Sequence, residues 1–284
     1  MKQLSIIVPA YNEEKSINEV LNQLKCQLAD FNIEHEIIVV NDGSNDQTKE
    51  LLKKISCIKP INHPYNKGYG ASLKTGVKNA KYDWVMFYDA DGQHNPKYIS
   101  ELLKHTNEYD MIIGARQGYQ GPWLRQPGKK ILHLAANYLS GHKIPDLNSG
   151  FRLIKRKHFL RFAHLFPDGF SLTTTITLTF FKTGLNVKYV PITINKRQGK
   201  SSVKPADAVN TFMLIVRLIT LFSPLRIFLP LTFVLFLLTI FLLVNDILSR
   251  NISDSTILLF VSTILIFFFG IMVDQIAAIR RELK

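Results

Sequence analysis

Asp89 and Asp91 stand one residue apart at the end of the apolar run WVMFY, and Gln93 follows two residues later. Two carboxylates at a strand end, with a neutral oxygen beside them, offer hard ligands to Mg²⁺ or Mn²⁺, ions that water and substrate phosphates then complete. A turn of solvated aspartates and a two-metal nuclease site are the alternatives, and a nuclease needs more carboxylates than this stretch supplies. Two more polar clusters come directly after apolar runs: Pro9-Ala10-Tyr11-Asn12-Glu13 and Asn41-Asp42-Gly43-Ser44. Taken singly, Asp42-Gly43 reads equally well as a turn, with Ser44 or Asn45 capping the next helix. The segment NKGYGAS at 66–72 opens a helix after a loop. Its glycines let backbone approach a ligand, and helix N-terminal N–H groups favour anions. It is neither a P-loop nor a GxGxxG turn, which disfavours Walker-type hydrolysis and NAD binding.

The elements that must position these residues alternate. Apolar runs at 4–9, 36–40, 84–89 and 111–115 read as strands, with helix patterns near 13–29, 45–55, 70–80 and 96–107 between them. Continuous apolar strands alternating with helices predict an α/β fold with a mainly parallel sheet covered on both faces. Ligands bind such sheets beyond the carboxyl ends of the strands, so the three acidic clusters are expected to converge on one edge.

The chain has 284 residues, 46% of them hydrophobic, and Lys+Arg 35 against Asp+Glu 22 gives a net charge of +13. Two cysteines, Cys26 and Cys57, exclude a disulfide scaffold and a cysteine-rich zinc site. The positive balance suits an anionic partner: nucleic acid, a phospholipid surface or a phosphorylated substrate. No helix-turn-helix, RNA-stacking platform or zinc motif is present, so nucleic acid is not expected as a partner. Hydrophobicity concentrates at 227–245 and 255–273, each run holding 19 uncharged positions, and a helix needs about 20 residues to cross a lipid bilayer. The short linker 246–254 makes the pair a transmembrane hairpin. Arg217 and Arg226 precede it, Arg280, Arg281 and Lys284 follow, and the linker holds only Arg250. The positive-inside rule then places residues 1–205 and the C-terminus in the cytoplasm, as a multi-pass protein of the inner cell membrane. The first residues are too quickly interrupted by Glu13 and Glu14 to be a signal peptide. Three regions result: a catalytic region at 1–205, a juxtamembrane amphipathic segment at 206–226 and the hairpin at 227–284. Exposed span faces also leave an oligomer possible.

SIIVPAYNE at 5–13, IIVVNDGSNDQT at 37–48, NKGYGASLKTG at 66–76, DADGQH at 89–94 and NSGFRLIKR at 148–156 together resemble the family 2 inverting glycosyltransferases of the GT-A fold. The similarity is greatest to the polyprenyl-phosphate group, which includes dolichol-phosphate mannosyltransferases and undecaprenyl-phosphate glycosyltransferases. The motifs cover about residues 4–205 in the usual order, and several bacterial members carry a two-span hairpin. The resemblance implies that Pro9, Tyr11, Glu13, Val40 and Asp42 line the nucleotide pocket, with Asp42 facing the base. It implies that Asp89, Ala90 and Asp91 meet the ribose and diphosphate, and that Asp89, Asp91 and Gln93 hold Mg²⁺ or Mn²⁺. Arg116 is placed at the acceptor phosphate, joined by Lys129 and Lys130 at the head of the helix KKILHLAANYLSG. The run KRQGKSS at 196–202 resembles the family's basic loop over donor and acceptor, placing Lys196 and Arg197 at the diphosphate and Lys200 at the acceptor.

The basic loop departs from its usual form: Ser202 stands for the terminal Lys, with Lys204 further on. The helix after the SGFRL strand lacks the acidic residue many members have, and Asp168 just before it is the nearest carboxylate. The processive synthases' Gln-x-x-Arg-Trp signature is absent, which disfavours polymerisation. The implied activity is metal-dependent transfer, with inversion, of a sugar from a UDP- or GDP-sugar to a membrane polyprenyl phosphate. Transfer to another membrane acceptor, such as diacylglycerol or an envelope glycan, and nucleotide-sugar binding without turnover are the other readings.

Overall fold

The computed structural model describes residues 3–31, 33–117, 126–195 and 206–282. The chain divides into two compact units, Met1–Asp207 and Ala208–Lys284. In the first, seven strands form one sheet of order β3-β2-β1-β4-β6-β5-β7. They are β1 (Gln3–Ala10), β2 (Glu34–Asn41), β3 (Lys59–Asn62), β4 (Trp84–Phe87), β5 (Met111–Arg116), β6 (Arg152–Lys155) and β7 (Val187–Ile192). All are parallel except β6, which runs against both its neighbours, β4 and β5. The mainly parallel α/β sheet expected from the sequence is what forms.

Both faces of the sheet are covered. On one, α1 (Ile17–Ala29) buries Ile17, Val20, Leu21, Leu24 and Leu28 against Ile6, Val8, Ile37 and Val39. The i, i+3, i+4, i+7 spacing of those residues makes that apolar stripe. Ile99 and Leu102 of α4 (Ile99–Leu103) join the same core. Over the other face, α3 (Tyr69–Asn79) buries Leu73 and Val77, and Phe159 of α6 (Arg156–Phe162) packs edge-on to Phe87 at 5.6 Å. The remaining helices of this unit are α2 (Thr48–Lys54), α5 (Gln126–Ser140) and α7 (Leu172–Lys182).

Two expectations shift. The helix anticipated from residue 13 begins at Ile17, because residues 12–14 are tied to the loop after β2. Asn12 takes a left-handed φ of 56°, and its N–H donates to Ser44 Oγ at 3.0 Å while its Oδ1 accepts from Asn45 N–H at 2.9 Å. Glu13 N–H donates to Thr48 Oγ1 at 2.9 Å, and Glu14 and Asp46–Gln47 exchange two more bonds. The helix anticipated at 96–107 is short: a tight turn at Pro96–Tyr98 leads into α4. Strands β3 and β7 lie at the sheet edges, where half-exposed residues weaken the apolar signal.

Helix α8 (Ala206–Phe222), all but its first two residues in the second unit, precedes α9 (Leu225–Leu248) and α10 (Asp254–Glu282). The last two are long and apolar enough to cross a membrane, and side chains such as Phe233, Phe241, Leu258 and Leu265 are exposed along them. They pack tightly on each other. A Cβ at Gly270 would lie 2.6 Å from Phe228 Cβ, Phe228 meets Phe269 at 5.7 Å, and Thr239 and Thr263 face each other at 3.5 Å. Each threonine hydroxyl also bonds the carbonyl one turn back, which satisfies it without water. Asp246 accepts from the Ser253 N–H at 2.9 Å and closes the tip.

Candidate active site

The carboxyl ends of β1, β2, β4, β5 and β7 share one edge of the sheet. Antiparallel β6 presents its beginning there, since Arg152 pairs with Phe87 at the end of β4. The residues leading into β6, 146–151, therefore belong to this edge too. They precede a strand instead of succeeding one, so the rule that looks beyond strand ends misses them, although NSGFR stands out as a motif.

Asp42, just past β2, is buried at 3% exposure. Its Oδ1 lies 2.7 Å from His63 Nδ1 and accepts from Lys67 N–H at 2.9 Å, and Oδ2 accepts from Gly68 N–H at 2.8 Å. His63 Nε2 meets Thr75 Oγ1 at 2.9 Å. Asp42 thus holds the loop that opens α3. Gly68 there has φ 104° and no room for a side chain, since a Cβ would sit 2.5 Å from the Asp168 carbonyl. Pro9 and Val40 pair across β1 and β2 and are buried, whereas Tyr11 is exposed at 41% and Glu13 is half-buried, accepting from Ser16 Oγ at 2.8 Å.

One residue beyond Gly68 the loop reaches the acidic turn. Tyr69 Oη donates to Asp89 Oδ1 at 2.9 Å, and His94 Nε2 lies 3.2 Å from Asp89 Oδ2. Burial resists ionisation of Asp89, but the hydrogen bonds of His94 and Tyr69 and the charge of Arg116 outweigh it, so its carboxyl lies below the usual range. Gly150 makes room for this arrangement: a Cβ there would collide with Asp89 Oδ2 and lie 2.9 Å from Tyr69 Oη. Ala90 is buried. Half-buried Asp91 accepts from Gln93 N–H at 3.1 Å across Gly92, whose φ is 72°. Gln93 in turn is tied by its carbonyl to Asn195 N–H at 2.9 Å.

Arg116, at the end of β5, is gripped by Asp146: Nε donates to Oδ2 at 2.7 Å and Nη2 to Oδ1 at 2.9 Å. Burial works against the Asp146 charge, but the Arg116 fork prevails and holds its carboxyl below the ordinary range. Asn148 N–H also donates to Asp146 Oδ1 at 3.1 Å, and Thr174 Oγ1 donates to Asn148 Oδ1 at 2.7 Å. Asp168 pairs instead with Lys74 at 2.8 Å. Arg152 is fully buried and donates to the Ser149 carbonyl, to the Thr173 carbonyl at 3.0 Å and to Thr177 Oγ1 at 3.3 Å. It locks the approach to β6 against α7.

Tyr69, His63, His94, Asp146, Gly150 and Arg152 are the site neighbours that composition and spacing alone did not single out. Lys130 is exposed near the start of α5. The side chain of Lys129 and the whole of Lys196, Arg197, Lys200 and Lys204 lie outside the described residues.

Among the described residues no three His, Cys, Asp or Glu side chains form a ready-made metal cage. Asp89 and Asp91 are carboxylates of one short turn, the donor type that Mg²⁺ and Mn²⁺ take together with substrate phosphates.

Residues 5–162 match the family described as Glycosyl transferase family 2, and residues 223–279 match the GtrB C-terminal hairpin. An uncharacterized protein of Methanocaldococcus jannaschii is 33% identical over 67% of this chain and 80% of its own length. A dolichyl-phosphate beta-glucosyltransferase of Trichomonas vaginalis is 32% identical over 69% of this chain and 67% of its own. An undecaprenyl-phosphate 4-deoxy-4-formamido-L-arabinose transferase of Aeromonas hydrophila is 28% identical over 55% of this chain, which spans only 50% of that relative. Glucosyl-3-phosphoglycerate synthase of Mycobacterium tuberculosis, solved with Mn²⁺, UDP-glucose and phosphoglyceric acid, superposes with a TM-score of 0.61. It is 20% identical, covering 77% of this chain and 79% of that one, and at that identity it speaks for the GT-A fold. The chain belongs to glycosyl transferase family 2: it is a glycosyltransferase with a GT-A sheet and a C-terminal apolar hairpin.

Proposed function

We propose that this enzyme transfers a sugar from a UDP- or GDP-sugar to a membrane polyprenyl phosphate, with inversion at the sugar's C1. The observation that carries this reading is the meeting of the acidic turn after β4 and the Arg116–Asp146 pair at the end of β5 on one sheet edge. The named relatives support a lipid-phosphate acceptor, and α9 and α10 suit a lipid bilayer partner. The catalytic unit faces the cytoplasm, at the inner membrane, on the charge asymmetry around the hairpin.

The donor's nucleotide lies along the loops after β1 and β2, against Pro9, Tyr11, Glu13, Val40 and Asp42. Its diphosphate reaches Asp89, Ala90 and Asp91. An oxygen of the acceptor phosphate attacks C1 from the face opposite the nucleoside diphosphate. The new C1–O bond forms as the bond from C1 to the β-phosphate oxygen breaks, which inverts the centre. A phosphate is already ionised near neutral pH, so no strong base is needed. The composition of α7 agrees: it carries no carboxylate, and the hydroxyls of Thr175, Thr177 and Thr179 are spent on carbonyls one turn back. Arg116, with Lys129, Lys130 and Lys200, attracts the acceptor phosphate, and Lys196 and Arg197 stand at the diphosphate. Asp91, Asp89 and Gln93 would hold a divalent cation, which when bound would supply positive charge for the leaving diphosphate, the largest demand of this chemistry.

The test is a panel of UDP- and GDP-sugars given to the purified full-length protein with undecaprenyl phosphate or diacylglycerol and Mg²⁺ or Mn²⁺, read by mass-resolved lipid products. A sugar-phosphoryl-polyprenol product is expected. Product on diacylglycerol alone, or none with any acceptor, would refute the reading.

A further inference from the structure

Two residues outside the acidic turn fix its first carboxylate. Tyr69 donates its hydroxyl to Asp89 Oδ1 at 2.9 Å, and Tyr69 is itself held from the far side by Phe170, stacked at 5.2 Å with the rings 14° from parallel. Phe170 is 81% exposed, so its ring buries little apolar area, and its place in the fold is set by that stack and by its loop. The loop is anchored: the Asp168 carbonyl accepts from Ala71 N–H at 3.0 Å, and the Asp168 carboxylate meets Lys74 Nζ at 2.8 Å. Gly150 closes the arrangement from the β6 side, leaving no space for a Cβ beside Tyr69 Oη and Asp89.

We propose that Tyr69, clamped by Phe170, is a positioning residue that fixes the plane of the Asp89 carboxylate for the metal–diphosphate complex. The inference rests on the donor-site reading above. Asp89 already has His94 on Oδ2, so the Tyr69 bond removes the remaining freedom of the carboxylate to rotate. A pre-oriented ligand loses less on binding than one that must be ordered first. Phe170 acts one step further out. Without the stack, Tyr69 has more than one ring orientation, and its hydroxyl spends part of its time away from Asp89.

The test is Mn²⁺ binding by the full-length protein with UDP or with GDP, monitored by loss of the free Mn²⁺ electron paramagnetic resonance signal. Melting temperature and steady-state kinetics are measured alongside. Tyr69→Phe keeps the ring and its stack but removes the donor. It is expected to weaken Mn²⁺ binding about tenfold, or about 1.4 kcal/mol, with the melting temperature unchanged. Phe170→Ala is expected to weaken it several-fold, and Phe170→Tyr to restore it. In kinetics the half-saturating Mn²⁺ concentration rises while the KM for the lipid acceptor stays fixed. Wild-type Mn²⁺ affinity in Tyr69→Phe overturns the positioning role alone. Absence of nucleotide-dependent Mn²⁺ binding in the unaltered protein overturns the donor-site reading itself.

Discussion

Asp91 and Asp146 are both acidic residues of one sheet edge, yet they make opposite demands. Asp91 is half-buried on a tight turn and suited to a ligand, so Asp91→Ala should reduce kcat by roughly 100- to 1000-fold, the usual loss when one electrostatic stabiliser is removed, with the melting temperature intact. Comparable kcat in mutant and wild type would remove Asp91 from the chemistry. Asp146 is committed to Arg116, and the bidentate bond should stabilise the fold by about 1.5–3 kcal/mol. Because its folded carboxyl lies below the ordinary range, that contribution is full above the usual aspartate value of about 3.9 and disappears as pH falls through the lower, folded value. Denaturant titration of Asp146→Asn should therefore differ from wild type near neutrality and converge with it in acid; a constant gap would count against the pair. Asp89-Ala90-Asp91 was legible in the sequence because a single short segment holds it. The Arg116–Asp146 grip was not, because thirty positions separate partners that only the reversed strand brings together.

At the level of elements, strand direction decides what reaches the site. Four apolar runs gave β1, β2, β4 and β5, and the loops after them sit where a parallel sheet requires. The direction of β6 carries no such signal, since RLIK has the same apolar character either way. Its reversal delivers Gly150 to Asp89, which assigns a space requirement to the glycine of the NSGFR motif. Gly150→Ala should therefore abolish activity by displacing Asp89 and Tyr69 while the circular dichroism stays native. Wild-type turnover in that variant would show that the space is not needed. The alternation of helices was equally legible, but their starts were not: residues 12–14 have helix-compatible types and are pulled out of α1 by bonds to residues 44–48.

For the molecule as a whole, the apolar runs at 227–245 and 255–273 announced α9 and α10, whose helices run further in both directions than the uncharged stretches. Charged ends on an apolar helix are compatible with a membrane, where long side chains reach the interface. The packing of the hairpin was hidden in single residues such as Gly270. Gly270→Leu should drive α10 away from Phe228 and lower the yield of folded protein in detergent, read by size-exclusion chromatography; a wild-type profile would contradict the close approach. The proposed topology has its own reporters, because Cys26 and Cys57 are exposed and unpaired in the first unit. In intact cells a membrane-impermeant maleimide should leave both unmodified, and Arg250→Cys at the hairpin tip should react. Labelling of the native pair before lysis would reverse the orientation.

The reciprocal bonds that tie residues 12–14 to residues 44–48 carry a consequence for redesign. Each segment supplies the missing donors and acceptors of the other, so a chimaera that imports one of them from a relative leaves its mate with orphaned amides. Swapping nucleotide preference between such enzymes by recombination should succeed only when both stretches travel together.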